Sequence, residues 1–200
     1  GGIPIVTSTD ISINRNISRV TADEVFDFVL EDYLYALDKV PVQTLNSGDV
    51  SNGAVKAALA RFYLYREDWE RADQFASEVI SGLGSRQYQL ESNFNNVLRD
   101  FSSESILEVI YTANDNPGTS TNFGLNNLLE GRREIIPSPD VIQALQESGG
   151  ARINMITFNS ALARGNDNGW TVTRYGPFDN VTIFRLPEMY LIRAEARARR

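Results

Sequence analysis

Two residue types that carry much of protein catalysis are missing from this sequence. Its 200 residues include no His and no Cys. A Ser-His-Asp triad, a thiolate nucleophile and a cysteine–zinc site are therefore excluded. Any acid–base chemistry would have to use carboxylates, Lys, Tyr or hydroxyls. No motif places such groups together, so we predict that the chain is not an enzyme and needs no cofactor.

One short segment has the residue types of a metal site. Asp167-Asn168-Gly169 brings a carboxylate, an amide and a glycine together, as a calcium-binding loop does. The alternating Asp/Asn spacing of such a loop is not met, however. We therefore predict a plain turn at this position and no metal site in the chain.

Length and charge limit the number of domains in the chain and the kinds of partner that it can bind. A chain of 200 residues suits one domain, or two small ones at most. The 26 acidic and 19 basic residues give a net charge of −7, which disfavours nucleic acid as a partner. No apolar stretch is long enough to span a bilayer. Residues 1–7 lack the charged and apolar regions of a signal peptide and resemble the interior of a longer chain.

The first half of the chain predicts three helices. The first begins at a capping box formed by Thr21 and Glu24 and ends at Val40, before Pro41. Its apolar residues recur at helical spacing and form one stripe. The second and third helices cover residues 53–66 and 68–81.

The second and third helices are joined by so few residues that they must be antiparallel neighbours. This helical hairpin partly matches the tetratricopeptide pattern, with Leu59-Ala60 and Tyr63 at the expected spacing and Ala72 in the second helix. Lys56 stands where that pattern has Trp. An ordinary helical hairpin is the alternative. The aromatic residues of the stripe are expected in the core; they are Phe62, Tyr63 and Tyr65.

The second half is richer in loops. A cap and a first-turn proline predict a short helix from Ser138 to Gly149. Branched apolar residues predict short strands at 105–111, 152–158 and 181–186. The stretch 112–127 is a long polar loop, and loops of this length are usually functional or mobile.

A last helix is predicted from Pro187 to Arg200. It has no following helix to complete a second hairpin, and a single helix of this length is marginal alone, so it must dock on another element. We expect Tyr190, Leu191 and Ala194 to face the helical hairpin or the first helix.

These elements predict an all-α fold of tetratricopeptide-like helical hairpins, with long irregular loops and a few short strands. Residues 1–200 are taken as a single domain. Its helical core would comprise residues 21–82 and 187–200, and its loop-rich segment residues 83–186.

Five motifs, in this order along the chain, resemble those of the SusD/RagB family. The helix at 25–41, the hairpin sequence at 57–82, Ser-Glu-Ser-Ile at 103–106 and Pro-Ser-Pro-Asp at 137–140 are four of them. The fifth, Arg-Leu-Pro-Glu-Met-Tyr at 185–190, is close to the family's most distinctive string, although Pro stands where the family usually has Ala. The chain resembles the middle of a family member.

The resemblance implies a surface-exposed lipoprotein of the outer membrane. In the family, such proteins bind oligosaccharides or polysaccharides and deliver them to a TonB-dependent, SusC-like transporter. Contact with the membrane would come only through a lipid anchor outside this segment. Two alternatives are a tetratricopeptide scaffold that binds protein and not glycan, and, more remotely, a carboxylate-dependent glycoside hydrolase.

Glycan binding without chemistry needs flat aromatic faces for the C–H surface of the sugar and polar groups for its hydroxyls. Such residues gather in the polar stretch 112–127 and around 167–175. Packing of the aromatic residues of the second stretch on the helical core is the alternative. The candidate ligand-binding residues are Phe123, Trp170, Tyr175, Asn114, Asp115, Asn126 and Asp167, with Asn168 as a further polar partner.

Overall fold

The computed structural model describes residues 2–97, 99–115, 126–176 and 178–200. Contacts divide the chain into two units. The helical unit comprises Gly1–Leu45, Val50–Gln87 and Glu188–Arg200. The strand-and-loop unit comprises Asn46–Asp49 and Tyr88–Pro187.

The regular elements of the helical unit are a short first helix and four longer ones, one of which starts in the other unit. Among them, the helices at residues 22–39, 52–65 and 69–81 agree with the predicted first, second and third helices to within one residue at each end. The ranges are α1 Ile11–Asn14, α2 Ala22–Lys39, α3 Asn52–Tyr65, α4 Trp69–Ser81 and, later in the chain, α6 Leu186–Arg199.

Helix α2 begins at the predicted capping box. The Thr21 hydroxyl accepts a hydrogen bond from the Glu24 amide, and the Glu24 carboxylate accepts one from the Thr21 amide at 2.8 Å. Two of the amides that the first turn leaves without helical partners are thereby satisfied. The helix ends at Lys39, since Pro41 keeps the residue before it out of the helical region.

Helix α3 forms the core of this unit. Almost all of its side chains are buried, because small Ala residues let neighbouring helices approach closely. Helix α4 turns back on it after Glu67, whose φ of 57° lies in the left-handed region. Ala72 and Ala76 of α4 are completely buried against this packing. The predicted antiparallel hairpin is therefore confirmed.

The aromatic residues of α3 divide between core and surface. Phe62 and Tyr63 are buried as expected, and Phe62 makes edge-to-face contacts with Phe26 and Tyr33 of α2. The prediction for Tyr65 was wrong, because this side chain is 75% exposed at the end of the helix.

Helix α6 begins one residue earlier than predicted and buries a different face. The buried residues are Met189, Ile192 and Ala196, whereas Leu191 is 70% exposed, so the expected orientation was wrong. The reason is the ion pair of Glu188 with Arg61 of α3, whose Nε–Oε1 distance is 2.6 Å. Ile192 lies one turn beyond Glu188 on that face.

The strand-and-loop unit contains two small antiparallel sheets and one α-helix. Strand β1 pairs with β4, with irregular register, and β2 pairs with β3 in a hairpin. The helix agrees with the prediction for residues 138–149. The ranges are β1 Ser105–Val109, α5 Pro139–Ser148, β2 Ile156–Phe158, β3 Trp170–Val172 and β4 Val181–Arg185.

The hairpin was predicted only in part. The strand expected at 152–158 is limited to Ile156–Phe158, and residues 151–155 form a 3₁₀ helix. Strand β3 was not predicted, since three residues are too few to show an alternating pattern. Among the described residues, no helix has both the length and the apolar character needed to cross a bilayer.

Buried polar groups hold the loops of this unit. The carboxylate of Glu108, almost fully buried, accepts hydrogen bonds from the Phe101 amide at 3.0 Å and from Asn180 Nδ2 at 2.7 Å. Phe101 has a φ of 57°, a costly conformation for a residue with a Cβ. Glu108 thus stabilises two loops that would otherwise leave buried donors without acceptors.

Candidate functional site

Arg133 holds the β2–β3 hairpin in place. Its Nε and Nη2 donate to the two carboxylate oxygens of Asp167 at 2.5 and 2.6 Å. Nη2 also donates to the carbonyl oxygen of Trp170 at 2.9 Å, and Nη1 donates to the hydroxyl of Thr171. The φ of Arg133 is 55°, a strained value that persists only where surrounding contacts require it.

Asp167 stabilises the turn that precedes Trp170. The Arg133 guanidinium, together with the amide of Gly169, lowers the pKa of the Asp167 carboxyl to about 2. The next residue, Asn168, accepts a hydrogen bond from the Trp170 amide through its Oδ1. Its Nδ2 donates a hydrogen bond to the Pro137 carbonyl. Among the described residues, no cluster of three or more Asp or Glu side chains could hold a metal ion.

Two aromatic rings, Phe158 and Trp170, form a partly exposed surface on the hairpin. Because the two residues face each other in the strand register, their ring centroids lie 5.4 Å apart with an angle of 49° between the planes. Phe158 is 51% exposed, and Trp170 is half-buried. We call these rings the aromatic pair. Phe158 could have been found from the sequence only if β3 had been predicted opposite β2.

A cavity of about 440 Å³ opens beside the same hairpin. Thr173 donates its amide to the Met155 carbonyl at 2.9 Å, which keeps the two ends of the hairpin together at this cavity. Arg174 follows Trp170 by four positions, at most about 14 Å of extended chain. We call this cavity the hairpin cleft; it is lined by Phe94, Asn95, Arg99, Asp100, Asn154, Met155, Arg174 and Asp179.

Arg174 is the most unusual residue of the hairpin cleft. Its guanidinium lies over the ring of Tyr175, 4.9 Å from the centroid, and its Nε is buried without a hydrogen-bond partner. Burial lowers the pKa of Arg174 below its ordinary value, because a desolvated cation is less favourable than a hydrated one. A buried donor without an acceptor costs free energy unless a ligand supplies one.

The predicted site residues fall into two groups. Asn126 donates from Nδ2 to the carbonyl of Tyr175 at 2.8 Å, so these two residues lie beside the hairpin together with Trp170 and Asp167. Asn114 and Asp115 lie in an exposed turn, in which the Thr112 amide donates to the Asp115 carbonyl. Phe123 lies outside the described residues. The sequence analysis missed four residues: Phe94, Arg133, Phe158 and Arg174.

The fold belongs to a known class, that of SusD-like helical proteins. A solved SusD superfamily protein from Bacteroides thetaiotaomicron matches 99% of this chain with a TM-score of 0.81 and 26% identity, over 47% of its own length. A solved laminarin-binding SusD-like protein matches 98% of the chain with a TM-score of 0.72 and 22% identity, over 54% of its own length.

Sequence comparison also finds a SusD-like relative. SusD-like protein P2 of Formosa agariphila is 27% identical over 114 residues, which are 56% of this chain and 23% of that protein. No protein-family model matches the chain. The resemblance to SusD-like proteins deduced from the five motifs is confirmed. The chain spans about half the length of the two solved relatives and about a quarter of the curated one.

Proposed function

We propose that this chain is part of a glycan-binding protein that captures oligosaccharides or polysaccharides. The observation that carries the proposal is the match to a SusD superfamily protein along 99% of the chain at 26% identity. The laminarin-binding relative has the same fold. The aromatic pair and the polar hairpin cleft add the two kinds of surface that a sugar needs.

The proposed contacts centre on the hairpin. Phe158 and Trp170 would stack on the C–H faces of sugar rings, and polar groups such as Asn154 would bind hydroxyls. Tyr175, Asn126 and Asp167 support this surface through their contacts with neighbouring residues. Residues Phe123, Asn114 and Asp115 remain proposed ligand contacts from the polar stretch 112–127.

The proposed setting is nutrient uptake at the cell surface. The protein would sit on the outer membrane, held by a lipid anchor outside this segment, and would pass the captured glycan to a SusC-like, TonB-dependent transporter. Binding would proceed without turnover, because the chain contains neither His nor Cys and no motif that places carboxylates for acid–base catalysis.

The test is affinity gel electrophoresis of the full chain in gels that contain laminarin or xyloglucan. Retardation by at least one neutral glycan is expected. Trp170→Ala and Phe158→Ala should weaken it, because truncating an aromatic stacking platform costs about 1–3 kcal/mol in the analogous case of nucleic-acid bases. Tyr65→Ala is the matched control, since this exposed ring lies in the helical unit.

The outcomes separate the alternatives. Retardation that Trp170→Ala and Tyr65→Ala reduce equally would contradict the hairpin as the binding surface. Absence of retardation by any glycan would favour the protein-binding scaffold. Release of new reducing ends from the same glycans would favour the hydrolase.

A further inference from the structure

Two arginines of this chain bind a carboxylate through the edge that Nε and Nη2 form. Arg61 donates from Nε and Nη2 to the two oxygens of Glu188, at 2.6 and 2.7 Å. Arg133 uses the same two nitrogens for the two oxygens of Asp167. This edge matches the two parallel acceptors of a planar carboxylate, which makes such pairs both strong and specific.

Arg174 lines the hairpin cleft without a carboxylate partner of this kind. Its Nε is buried and has no hydrogen-bond partner. No ion pair of the described residues includes Arg174. Its guanidinium carbon lies 4.9 Å from the centroid of the Tyr175 ring, and this cation–π contact leaves the charge of Arg174 in place.

The other charges around the cleft do not compensate Arg174. Each of the two lining carboxylates accepts a backbone hydrogen bond: Asp100 from Asn180 at 2.9 Å and Asp179 from Gly176 at 2.6 Å. Two further cations are close by. Arg99 lines the cleft, and the Arg152 guanidinium lies 5.6 Å from the centroid of the lining Phe94 ring. The lining itself holds two arginines and two carboxylates, and among the described residues Arg174 forms an ion pair with neither carboxylate. An anionic ligand would supply the partner that Arg174 lacks.

We propose that the hairpin cleft selects glycans that carry a carboxylate, that is, uronate sugars, and that the guanidinium of Arg174 binds the carboxylate. The inference rests on the proposed glycan-binding function and names the substrate class of that site. A neutral sugar hydroxyl offers one acceptor atom to a guanidinium, whereas a uronate offers two in one plane together with a full negative charge.

Isothermal titration calorimetry of the full chain with tetragalacturonate and with its fully methyl-esterified form tests the proposal. Methyl esterification removes the charge of every carboxylate and leaves the sugar backbone unchanged. We expect the acid to bind at least tenfold more tightly than the ester. Arg174→Gln should abolish this preference, so that the acid and the ester bind with similar affinity. Arg174→Lys should restore only part of it, because Lys keeps the charge but loses the two-nitrogen edge.

Arg164→Gln is the matched control, because it removes the same charge from an exposed position of the same unit and is expected to keep the full preference. Melting temperatures of all variants report whether they fold. If Arg174→Gln does not fold, the comparison of acid with ester on the unaltered chain still decides.

The outcomes distinguish this inference from the proposed function. Equal binding of acid and ester, with neutral glycans bound, would overturn the uronate assignment and leave glycan capture standing. Absence of binding to every glycan would overturn both. An Arg174-dependent preference for a sulfated carrageenan tetrasaccharide, with none for tetragalacturonate, would replace the carboxylate by a sulfate and overturn the proposal as stated.

Discussion

The helical unit and the strand-and-loop unit are stabilised in different ways. In the helical unit, most buried side chains are apolar and many are small, as in α3 and the facing side of α4. In the strand-and-loop unit, Glu104 and Glu108 are buried beside Ser and Asn residues. The first unit therefore depends mainly on the hydrophobic effect and close packing, and the second depends to a larger degree on buried hydrogen bonds.

This difference has a consequence for substitutions. A packing core loses stability in proportion to the volume removed, whereas a polar core loses it when a single partner is taken away. Substitutions in one unit therefore test the role of close packing, and substitutions in the other test the role of buried hydrogen bonds.

The largest effect is expected in the helical core. Leu59→Ala should lower the free energy of unfolding by about 3 kcal/mol, because Leu59 is fully buried and its truncation leaves a cavity. Urea denaturation monitored by circular dichroism measures the change. A loss below about 1 kcal/mol would show that α3 is not closely packed.

A smaller but still large effect is expected at Glu108. Glu108→Ala should cost about 2 kcal/mol, since the Phe101 amide and the Asn180 amide group would both lose their acceptor. Glu108→Gln is the control, because it keeps one carbonyl oxygen as an acceptor and should be less destabilising. Hydrogen exchange at the Phe101 amide, which should become faster in the Ala variant, locates the effect; unchanged exchange would contradict it.

The ion pair at the hairpin predicts a pH dependence. The pKa of Asp167 is lowered from 3.8 to about 2, so its contribution to stability is complete above about pH 4 and is lost as the pH falls toward 2. Asp167→Asn should therefore melt at a lower temperature than the unaltered chain at pH 7. The two melting curves should converge as the pH approaches 2. A difference that is independent of pH would show that the charge of Asp167 has no part in it.

The smallest effect is expected on the outer face of α6. Leu191→Ala should change the free energy of unfolding by no more than about 0.5 kcal/mol, because this side chain is largely exposed. Met189→Ala, a truncation at a fully buried position two residues earlier, gives the contrast and should cost about 2 kcal/mol or more. Similar losses of unfolding free energy in both variants would show that Leu191 lies on the buried face.

The sequence allowed the helices of the first unit to be predicted because their signals are local. The capping box at Thr21, the stop at Pro41 and the short turn after Arg66 all depend on residues within one turn of one another. The orientation of α6 could not be predicted in this way. Two faces of that helix carry apolar residues, and the choice depends on Arg61, which lies far away in the sequence.

The site was less predictable for the same reason. Trp170 and Tyr175 stood out as aromatic residues in a polar segment, but their partners are distant. Phe158 faces Trp170 only because of the strand register. Arg133 contacts the hairpin from a segment in which the sequence predicts no helix or strand. Arg174 is distinguished by a buried Nε, and no pattern of residue types reports the burial of a single atom.

The Arg61–Glu188 ion pair bears on the order in which the helices of the helical unit fold. The two residues lie 127 positions apart, and the whole segment Tyr88–Pro187 is made between them. The contacts between α3 and α4 are local, so this hairpin can form as soon as its residues are available. Helix α6 must close a loop of more than a hundred residues before it can dock, which carries an entropic cost that grows with loop length. The helical unit is therefore begun before the strand-and-loop unit is synthesised and completed after it, and the docking of α6 is the step most open to interruption.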